Sequence, residues 1–359
     1  MKNVVVISGV AGMTGSMVAK TMLGKGIPVV GFDNFFCGSR KVVAELEKSQ
    51  LFHFFEYDIN EKSQMDGLFA YVARDFPDSE KWYVNCAAVV HTKYFYHPDD
   101  TFATNVVAMR DSLERCIAGG YTRYINCSTS EVYSMKSWEE GGVREDSPVL
   151  IATAEQSLRT SYATGKLMTE FFMKDAVERG CIRGCSMRFA NVYSAEEIYD
   201  DHIIPHIISS LKRDGGVTLL ENAKETRRTF LNNEDSCRAV VELLLNEQAL
   251  DGGVYNVGTT DEFYIVDLVK LIAELMDIPE SKIDFKGSRS ADPRRRLYDY
   301  ARVLCFRLQF LRPVYGGAGQ TARRGLYTRQ TGYAAGHQAQ LRDRNEEFPR
   351  RAGKRKETG

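Results

Sequence analysis

The sequence lacks the features that would place the protein in a membrane, in an oxidising compartment or on a nucleic acid. No apolar run reaches the roughly 18 residues that a membrane-spanning helix needs. No charged-plus-apolar leader precedes the first strand pattern, MKNVVVISG. The eight cysteines include no C-x-x-C pair and several lie in apolar runs, so buried reduced thiols are expected. The net charge is only −1. We therefore expect a cytoplasmic protein without a membrane or nucleic-acid partner.

The composition changes near residue 303. Over all 359 residues, a chain with 43% apolar and 26% charged residues fits an ordinary soluble protein of two linked domains. The stretch 303–359 is instead rich in Arg, Gly and Gln, has few aliphatic residues and shows no clear periodicity. A nucleic-acid-binding tail and a shifted reading frame are alternatives, but a disordered extension fits this composition best. We exclude this atypical basic tail from the fold prediction.

Apolar runs alternate with segments of helical spacing through the first part of the chain. Six runs predict buried strands: KNVVVISG, IPVVGFD, LFHFFEYDI, KWYVNCAAVV, YTRYINCSTS and GCSMRFANVY. This alternation predicts an α/β fold with a Rossmann-type, doubly wound parallel sheet. We expect residues 1–190 to form one domain to which 231–258 return. Residues 191–230 and 259–302 would form a smaller C-terminal domain.

A glycine-rich turn follows the first predicted strand. It has the pattern G-x-x-G-x-x-G, formed by Gly9, Gly12 and Gly15. Such glycines let the backbone approach a diphosphate at a helix N-terminus. Asp33 ends the next predicted strand, where a carboxylate accepts hydrogen bonds from both ribose hydroxyls and repels a 2′-phosphate. The pattern therefore favours NAD over NADP, although Arg40 and Lys41 nearby work against that preference.

Two further stretches carry groups that can transfer a proton. SYATGK places Tyr162 and Lys166 at i,i+4 spacing, and an ammonium beside a phenol favours the phenolate. The run CSTSEVYS collects Thr129, Ser130 and Glu131 directly after the fifth predicted strand. Tyr162 is the candidate base for a sugar hydroxyl.

Together these stretches resemble extended short-chain dehydrogenases/reductases of the NAD-dependent nucleotide-sugar epimerase/dehydratase/decarboxylase group, over roughly residues 1–300. The marks are SGVAGMTG, DNFF, YDI, NCAA, ATNVVAM, STSEVY, YATGK, RFANVY, TRRTF, NVG and DPRRR. The resemblance implies that Thr129, Tyr162 and Lys166 form the redox triad. Thr129 and Tyr162 would bind the sugar O4, and NAD would take the C4 hydride.

The resemblance also implies binding residues for the cofactor and for a nucleotide-sugar substrate. The NAD contacts would be Gly9, Gly12, Met13, Thr14, Gly15, Asp33, Asn34, Asp58, Ile59, Ala87, Ala88, Asn105, Tyr162 and Lys166. The substrate contacts would be Asn191, Arg228 and Arg296.

STSEVY, DNFF and the Arg that ends D-P-x-x-R in DPRRR look most like UDP-glucuronate decarboxylases. By that resemblance Ser130, Glu131 and Arg296 join the catalytic triad. The chemistry is coherent, because a ketone at C4 is β to the C5 carboxylate, and such an acid loses CO2 readily. Dehydratases of the group carry Asp where this chain has Ser130, and plain 4-epimerases lack a carboxylate at Glu131.

Departures from the group leave the base and the sugar open. Ser134 and Ser194 replace glycines that usually follow V-Y, and LLENAKETRR has no glycine. A 4-epimerase with the same triad and a non-catalytic dinucleotide sensor remain alternatives. The intact triad argues against the sensor.

Two expectations concern metals and assembly. The histidines of DDHIIPH have i,i+4 spacing, but Pro205 is expected to break the helix that would align them, so no metal site is predicted. Helices over 105–117 and 161–178 carry more apolar residues than one sheet contact needs. The matching helices of the family form a dimer interface, so a homodimer is expected.

Overall fold

A computed structural model describes residues 3–133, 142–195, 197 and 202–287. These residues contain twelve strands: β1 (Asn3–Ser8), β2 (Val29–Phe32), β3 (Phe52–Phe55), β4 (Glu80–Asn85), β5 (Arg123–Thr129), β6 (Arg183–Phe189), β7 (Asn191–Tyr193), β8 (Val217–Leu219), β9 (Arg227–Asn232), β10 (Asp251–Val257), β11 (Glu262–Tyr264) and β12 (Ile283–Phe285). They also contain nine α-helices: α1 (Met13–Gly24), α2 (Arg40–Leu46), α3 (Lys62–Asp75), α4 (Pro98–Phe102), α5 (Met109–Ala118), α6 (Thr160–Glu178), α7 (Ile203–Asp214), α8 (Asn233–Leu245) and α9 (Ile265–Leu275). A π-helical segment, Ala103–Ala108, joins α4 to α5.

Seven strands form one parallel sheet in the order β3-β2-β1-β4-β5-β6-β10. The order reverses at β1, because β2 and β4 lie on its two sides and lead to opposite edges. In such sheets a ligand binds beyond the carboxyl ends of the strands at the point of reversal. The predicted α/β fold with a Rossmann-type, doubly wound sheet is confirmed.

Each face of this sheet is covered by its own helices. Val5 and Ile7 of β1 pack with α1, α2 and α8, whereas Val4 and Val6 pack with α3, α5 and α6. All four side chains are fully buried, which explains why the sequence of this strand is an unbroken run of apolar residues. This two-sided core fixes the carboxyl end of β1, where the glycine turn begins.

Two small sheets contain the strands that follow β6. One has the order β11-β9-β7, with β9 antiparallel to β11 and parallel to β7, and the other pairs β12 with β8. The run GCSMRFANVY is therefore divided between two sheets, which its apolar pattern alone does not reveal. The bounds of the two predicted domains stay a prediction.

One local prediction was wrong, and another element was not predicted. Pro205 does not break a helix, because it is the third residue of α7, where the backbone has no intrahelical N–H bond to lose. The short helix α2 was not predicted, since only Val43 and Leu46 of its seven residues are buried.

Within the described part of the chain, no helix is both long and apolar enough to cross a membrane. Arg296, Ser134 and the tail 303–359 lie outside the described residues.

Candidate active site

The turn between β1 and α1 is so tight that two of its glycines cannot carry a side chain. Gly9 has a φ of +67°, and a Cβ there would lie 2.8 Å from the backbone nitrogen of Ala87. A Cβ on Gly15 would overlap the carbonyl oxygen of Gly9. Gly12 precedes α1, whose first turn has neither an acidic residue nor a side-chain cap. The N–H groups of this turn therefore suit an anion such as a diphosphate.

Side chains from α8 and β1 hold this turn in place. Asn233 Nδ2 donates to the Met13 carbonyl at 2.9 Å, and Cys237 Sγ donates to the Thr14 carbonyl at 3.4 Å. The Ser8 hydroxyl accepts a hydrogen bond from the backbone N–H of Ala87 at 3.1 Å. The contribution of α8 was not predicted, because it depends on contacts between residues more than two hundred positions apart.

A cavity of about 300 Å³ opens beside the glycine turn. Its lining includes eight of the predicted NAD contacts: Gly9, Gly12, Asp33, Asn34, Asp58, Ile59, Ala87 and Ala88. The Asp33 carboxylate accepts hydrogen bonds from the backbone N–H groups of Ala11 at 3.0 Å and Phe35 at 2.8 Å. Burial raises the pKa of Asp33, and these two hydrogen bonds oppose the rise.

A further carboxylate that lines this cavity is that of Asp58, which follows β3. Burial would raise the pKa of Asp58, but hydrogen bonds from Asn60 and Asn34 outweigh it and lower the pKa. Arg40 does not compete for this site, because it pairs with Glu56 at 2.6 and 2.9 Å on the exposed surface. Three carboxylates therefore line the cavity, those of Asp33, Asp58 and Asp100, and a carboxylate at such a place can accept hydrogen bonds from ribose hydroxyls.

A larger cavity of about 620 Å³ adjoins the first. Both are lined by Gly9, Gly12, Cys86 and Ala88, so they form one cleft at the carboxyl ends of the strands. The predicted residues Met13, Thr14 and Gly15 also line the larger cavity. The cleft therefore follows the whole glycine turn.

The predicted redox triad lies together in the larger cavity. Thr129 ends β5, whereas Tyr162 and Lys166 lie on the buried face of α6. The Thr129 hydroxyl is near enough to the Tyr162 hydroxyl to lower the pKa of Tyr162. Lys166 Nζ donates to the carbonyl oxygen of Cys127 at 2.9 Å. The triad is thus assembled by adjacent elements of the sheet and its covering helix.

The protonation of Tyr162 is controlled by burial and by two opposite charges. Burial raises the pKa of Tyr162, and the Glu131 carboxylate raises it further. The hydrogen bond from Thr129 and the charge of Arg159 lower the pKa. Burial also lowers the pKa of Lys166. The sequence-based explanation, in which Lys166 alone favours the phenolate, is therefore incomplete.

Glu131 forms an ion pair with Arg159, which was not predicted as a site residue. Arg159 Nη1 donates to Glu131 Oε2 at 2.7 Å and Nη2 donates to Oε1 at 3.3 Å. The two side chains are only 17% and 14% exposed. The Phe95 ring stacks on Tyr162 with centroids 3.9 Å apart, and the Arg159 guanidinium carbon lies 5.3 Å from the centroid of the same ring. Glu131, Arg159, Phe95 and Tyr162 therefore form one packed cluster.

Two of the predicted substrate contacts line the larger cavity. Asn191 and Arg228 line it, and Asn191 Nδ2 joins β7 to β9 through the Thr229 carbonyl at 3.2 Å. His206 and Lys286 line the cavity as well, although neither was predicted as a substrate contact. Cationic side chains suit a diphosphate.

A buried ion pair supports the end of β5. Arg188 and Glu170 are each 5% exposed, with 2.6 Å between Nη2 and Oε2. The Ser128 hydroxyl donates to Glu170 at 2.6 Å, and Arg188 Nη1 donates to the Tyr133 hydroxyl at 2.8 Å. The STSEVY turn is thereby fastened to β6 and α6, which fixes the positions of the catalytic side chains.

Two predicted site residues do not line either cavity. Asn105 is buried and exchanges two hydrogen bonds with the backbone of Val89, at 2.8 and 3.1 Å, so it holds the segment after β4. Ser130 is buried in the turn after β5. In the described residues, no group of three or more His, Cys, Asp or Glu side chains could hold a metal ion.

The cleft fits a dinucleotide. The glycine turn admits a diphosphate only because no Cβ fills it, and Asp33 lies where ribose hydroxyls would bind. Residues 5–258 match the NAD dependent epimerase/dehydratase family. The chain belongs to this family. The resemblance inferred from the motifs is thereby confirmed, as is NAD as the cofactor.

Members of this family from a plant are among the sequence relatives. UDP-glucuronic acid decarboxylase 1 of Arabidopsis thaliana is 26% identical over 307 residues, which cover 83% of this chain and 64% of the relative. UDP-glucuronic acid decarboxylase 3 of the same plant is 27% identical over 304 residues, which cover 83% of this chain and 82% of the relative. The chain thus spans less than two thirds of the length of the first relative.

Solved structures show the same fold. The dTDP-glucose 4,6-dehydratase of Streptomyces venezuelae, solved with NAD, has a TM-score of 0.76 at 21% identity and covers 92% of this chain and 97% of its own. The UDP-glucuronic acid 4-epimerase of Bacillus cereus, solved with UDP-glucuronic acid and NAD, has a TM-score of 0.76 at 21% identity. Its match covers 94% of this chain and 99% of the epimerase.

Proposed function

We propose that this chain is an NAD-dependent enzyme that decarboxylates a nucleotide-linked uronic acid, such as UDP-glucuronate, through a 4-keto sugar. One observation carries the proposal: the carboxylate of Glu131 and its partner Arg159 line the same cavity as Thr129, Tyr162 and Lys166. Relatives that are named UDP-glucuronic acid decarboxylases support it.

In this proposal Tyr162 takes the proton from the sugar O4, and Thr129 holds that oxygen through its hydroxyl. NAD supplies the oxidising group, which accepts the C4 hydride and later returns it. Lys166 lines the cavity, and its ammonium is held by the Cys127 carbonyl of β5 at 2.9 Å. General base catalysis by a placed side chain contributes about 10²- to 10⁴-fold to a rate.

The ketone at C4 is β to the C5 carboxylate, so CO2 leaves and the C4 oxygen becomes an enolate. The hydroxyls of Tyr162 and Thr129 stabilise that oxygen, because they are already directed at it. Glu131 is two residues beyond Thr129 and lines the cavity. We assign to Glu131 the delivery of the proton that returns to C5: the carboxylate takes a proton from solvent, gives it to C5 and is left again as the carboxylate paired with Arg159.

A 4-epimerase is the second candidate, because it would use the same triad. One observation favours it: Ser130, one of the residues that mark the decarboxylases, does not line the cavity. A 4-epimerase of a neutral sugar would have no use for Glu131 and Arg159, so this pair supports a uronic acid as the substrate, and decarboxylation is distinguished from 4-epimerisation of a uronic acid by the release of CO2.

The proposal is tested with a set of nucleotide sugars, including UDP-glucuronate and UDP-glucose, whose products are identified by mass. Loss of CO2 from UDP-glucuronate is the expected result. A product of unchanged mass and altered configuration would instead identify an epimerase. Tight NAD binding without any turnover would identify a sensor. The Tyr162→Phe variant is the matched control and should lose turnover while it still binds NAD.

We also propose roles for the remaining predicted features. Asn191 and Arg228 would hold the substrate diphosphate from β7 and β9, within the smaller substrate-binding domain. The chain would form a homodimer through α4, α6 and the π-helical segment between α4 and α5. These elements pack on one another and leave Phe102, Val107, Met168 and Phe171 between 45% and 61% exposed.

A further inference from the structure

We infer that Arg159 forms a carboxylate-binding subsite, which selects nucleotide sugars with a carboxylate on the carbon next to the one that is oxidised. The inference rests on the proposed function in one respect: it takes the sugar O4 to lie at Tyr162 and Thr129. It adds a residue that determines the substrate class.

The position of Arg159 follows from helical geometry. It is three residues before Tyr162, at the start of α6, with helical backbone angles of φ −54° and ψ −27°. Residues at this spacing lie on one helix face, with Cβ atoms roughly 5–6 Å apart. The uronate carboxyl group is bonded to C5, the direct neighbour of C4. A sugar whose O4 contacts Tyr162 therefore brings its carboxylate within reach of a long side chain at position 159.

Arg159 has donor capacity that the protein does not use. It donates one hydrogen bond from Nη1 and one from Nη2 to Glu131. Its Nε–H is buried and has no partner within the described residues. A guanidinium can serve two carboxylates at once through different edges of its fork. The Arg159 side chain lines the cavity, so a substrate carboxylate can share it with Glu131.

Phe95 keeps the guanidinium in place. Its ring has the Arg159 guanidinium carbon on its face at 5.3 Å and also stacks against Tyr162. An arginine held in this way loses little conformational freedom when it binds a ligand. The distance between the candidate base and the carboxylate subsite is thus set by a single aromatic ring.

The charges explain why the subsite would bind a uronate more tightly than a sugar with a neutral hydroxymethyl group. A uronate entering the cavity meets Glu131, and two carboxylates without a shared cation repel each other. Arg159 removes that repulsion and supplies charge-assisted hydrogen bonds. A neutral hydroxymethyl group at the same carbon gains neither effect.

The test measures binding separately from turnover. The full-length Tyr162→Phe protein, loaded with NAD, is titrated calorimetrically with UDP-glucuronate and with UDP-glucose, which differ only at the carbon attached to C5. Arg159→Met is added to this parent to remove the charge and retain an apolar stem. Arg159→Lys is added in a separate protein to retain the charge without the fork.

We expect Arg159→Met to weaken UDP-glucuronate binding by about 10- to 100-fold, as for the loss of hydrogen bonds to a charged group. UDP-glucose binding should change by less than about threefold, and Arg159→Lys should recover part of the uronate affinity. Equal losses for both sugars would show a merely structural role and overturn the inference. Failure of the parent to bind UDP-glucuronate would overturn it too. Arg159-dependent uronate binding without CO2 release by the native enzyme would contradict only the proposed function.

Discussion

Two charged groups act in opposite directions on the pKa of Tyr162: the Glu131 carboxylate raises it and the Arg159 guanidinium lowers it. The two groups are paired with each other, so each variant of the pair leaves one charge unbalanced beside the phenol. A base must lose its proton before it can accept one. The rate of sugar oxidation should therefore rise with pH through the pKa of Tyr162.

We predict that Glu131→Gln and Arg159→Met displace this rise in opposite directions. Removal of the negative charge lowers the pKa of Tyr162, so the rise should move to lower pH. Removal of the positive charge raises that pKa, so the rise should move to higher pH. Each displacement should be about one pH unit, as for a single charge a few ångströms away. Reduced-nicotinamide absorbance in a single turnover isolates the oxidation step. Displacement of both curves in the same direction would contradict the assignment of Tyr162 as the base.

Single residues differ in how far the sequence could predict them. Tyr162 and Lys166 were predictable because both lie on one helix, so their spacing fixes their distance. Arg159 is the N-cap residue of the same helix, but its role depends on Glu131 in a different element. Asn105 and Ser130 lie near the site in sequence, yet both are buried and neither lines one of the two cavities. Spacing indicates that a residue is near a site and does not reveal which way its side chain points.

The glycine turn is the element on which cofactor binding depends most directly. We predict that Gly15→Ala lowers NAD affinity by about tenfold or more, because its Cβ would overlap the Gly9 carbonyl and displace the backbone that receives the diphosphate. Gly24→Ala, at the exposed end of the same helix, is the matched control, since nothing lies within 4 Å of its added carbon. Calorimetric titration with NAD compares the two variants. Equal NAD affinity in both would exclude the turn as the diphosphate site.

The elements of the large sheet were predictable because a strand buried on both faces has a continuous apolar run. β1, β2 and β4 each begin and end within a few residues of such a run. β7 was not separable from β6, since membership of a sheet depends on a partner strand elsewhere in the chain. The continuation of α7 through Pro205 depends on where the helix starts, which the sequence did not mark.

The assembly of the whole molecule can be tested on its exposed apolar side chains. Phe171 and Met168 on α6 are 61% and 45% exposed, and Phe102 on α4, which packs on α6, is 56% exposed. Exposed apolar side chains on elements that pack on one another are typical of a protein–protein interface. We predict a homodimer that Phe171→Glu converts to a monomer. Leu245→Glu changes an exposed leucine on α8 and should remain dimeric. Sedimentation at micromolar concentration measures both. A native monomer, or a dimeric Phe171→Glu variant, would contradict this interface.

The most direct measurement follows the carboxyl carbon of the substrate. UDP-glucuronate with an isotope label at that carbon is incubated with the NAD-loaded enzyme and, separately, with the Tyr162→Phe variant. We predict that the native enzyme releases the label as CO2 and that the variant does so at least about a hundredfold more slowly. Retention of the label in a nucleotide sugar of altered configuration, or equal release by the Tyr162→Phe variant, would contradict decarboxylation by this tyrosine.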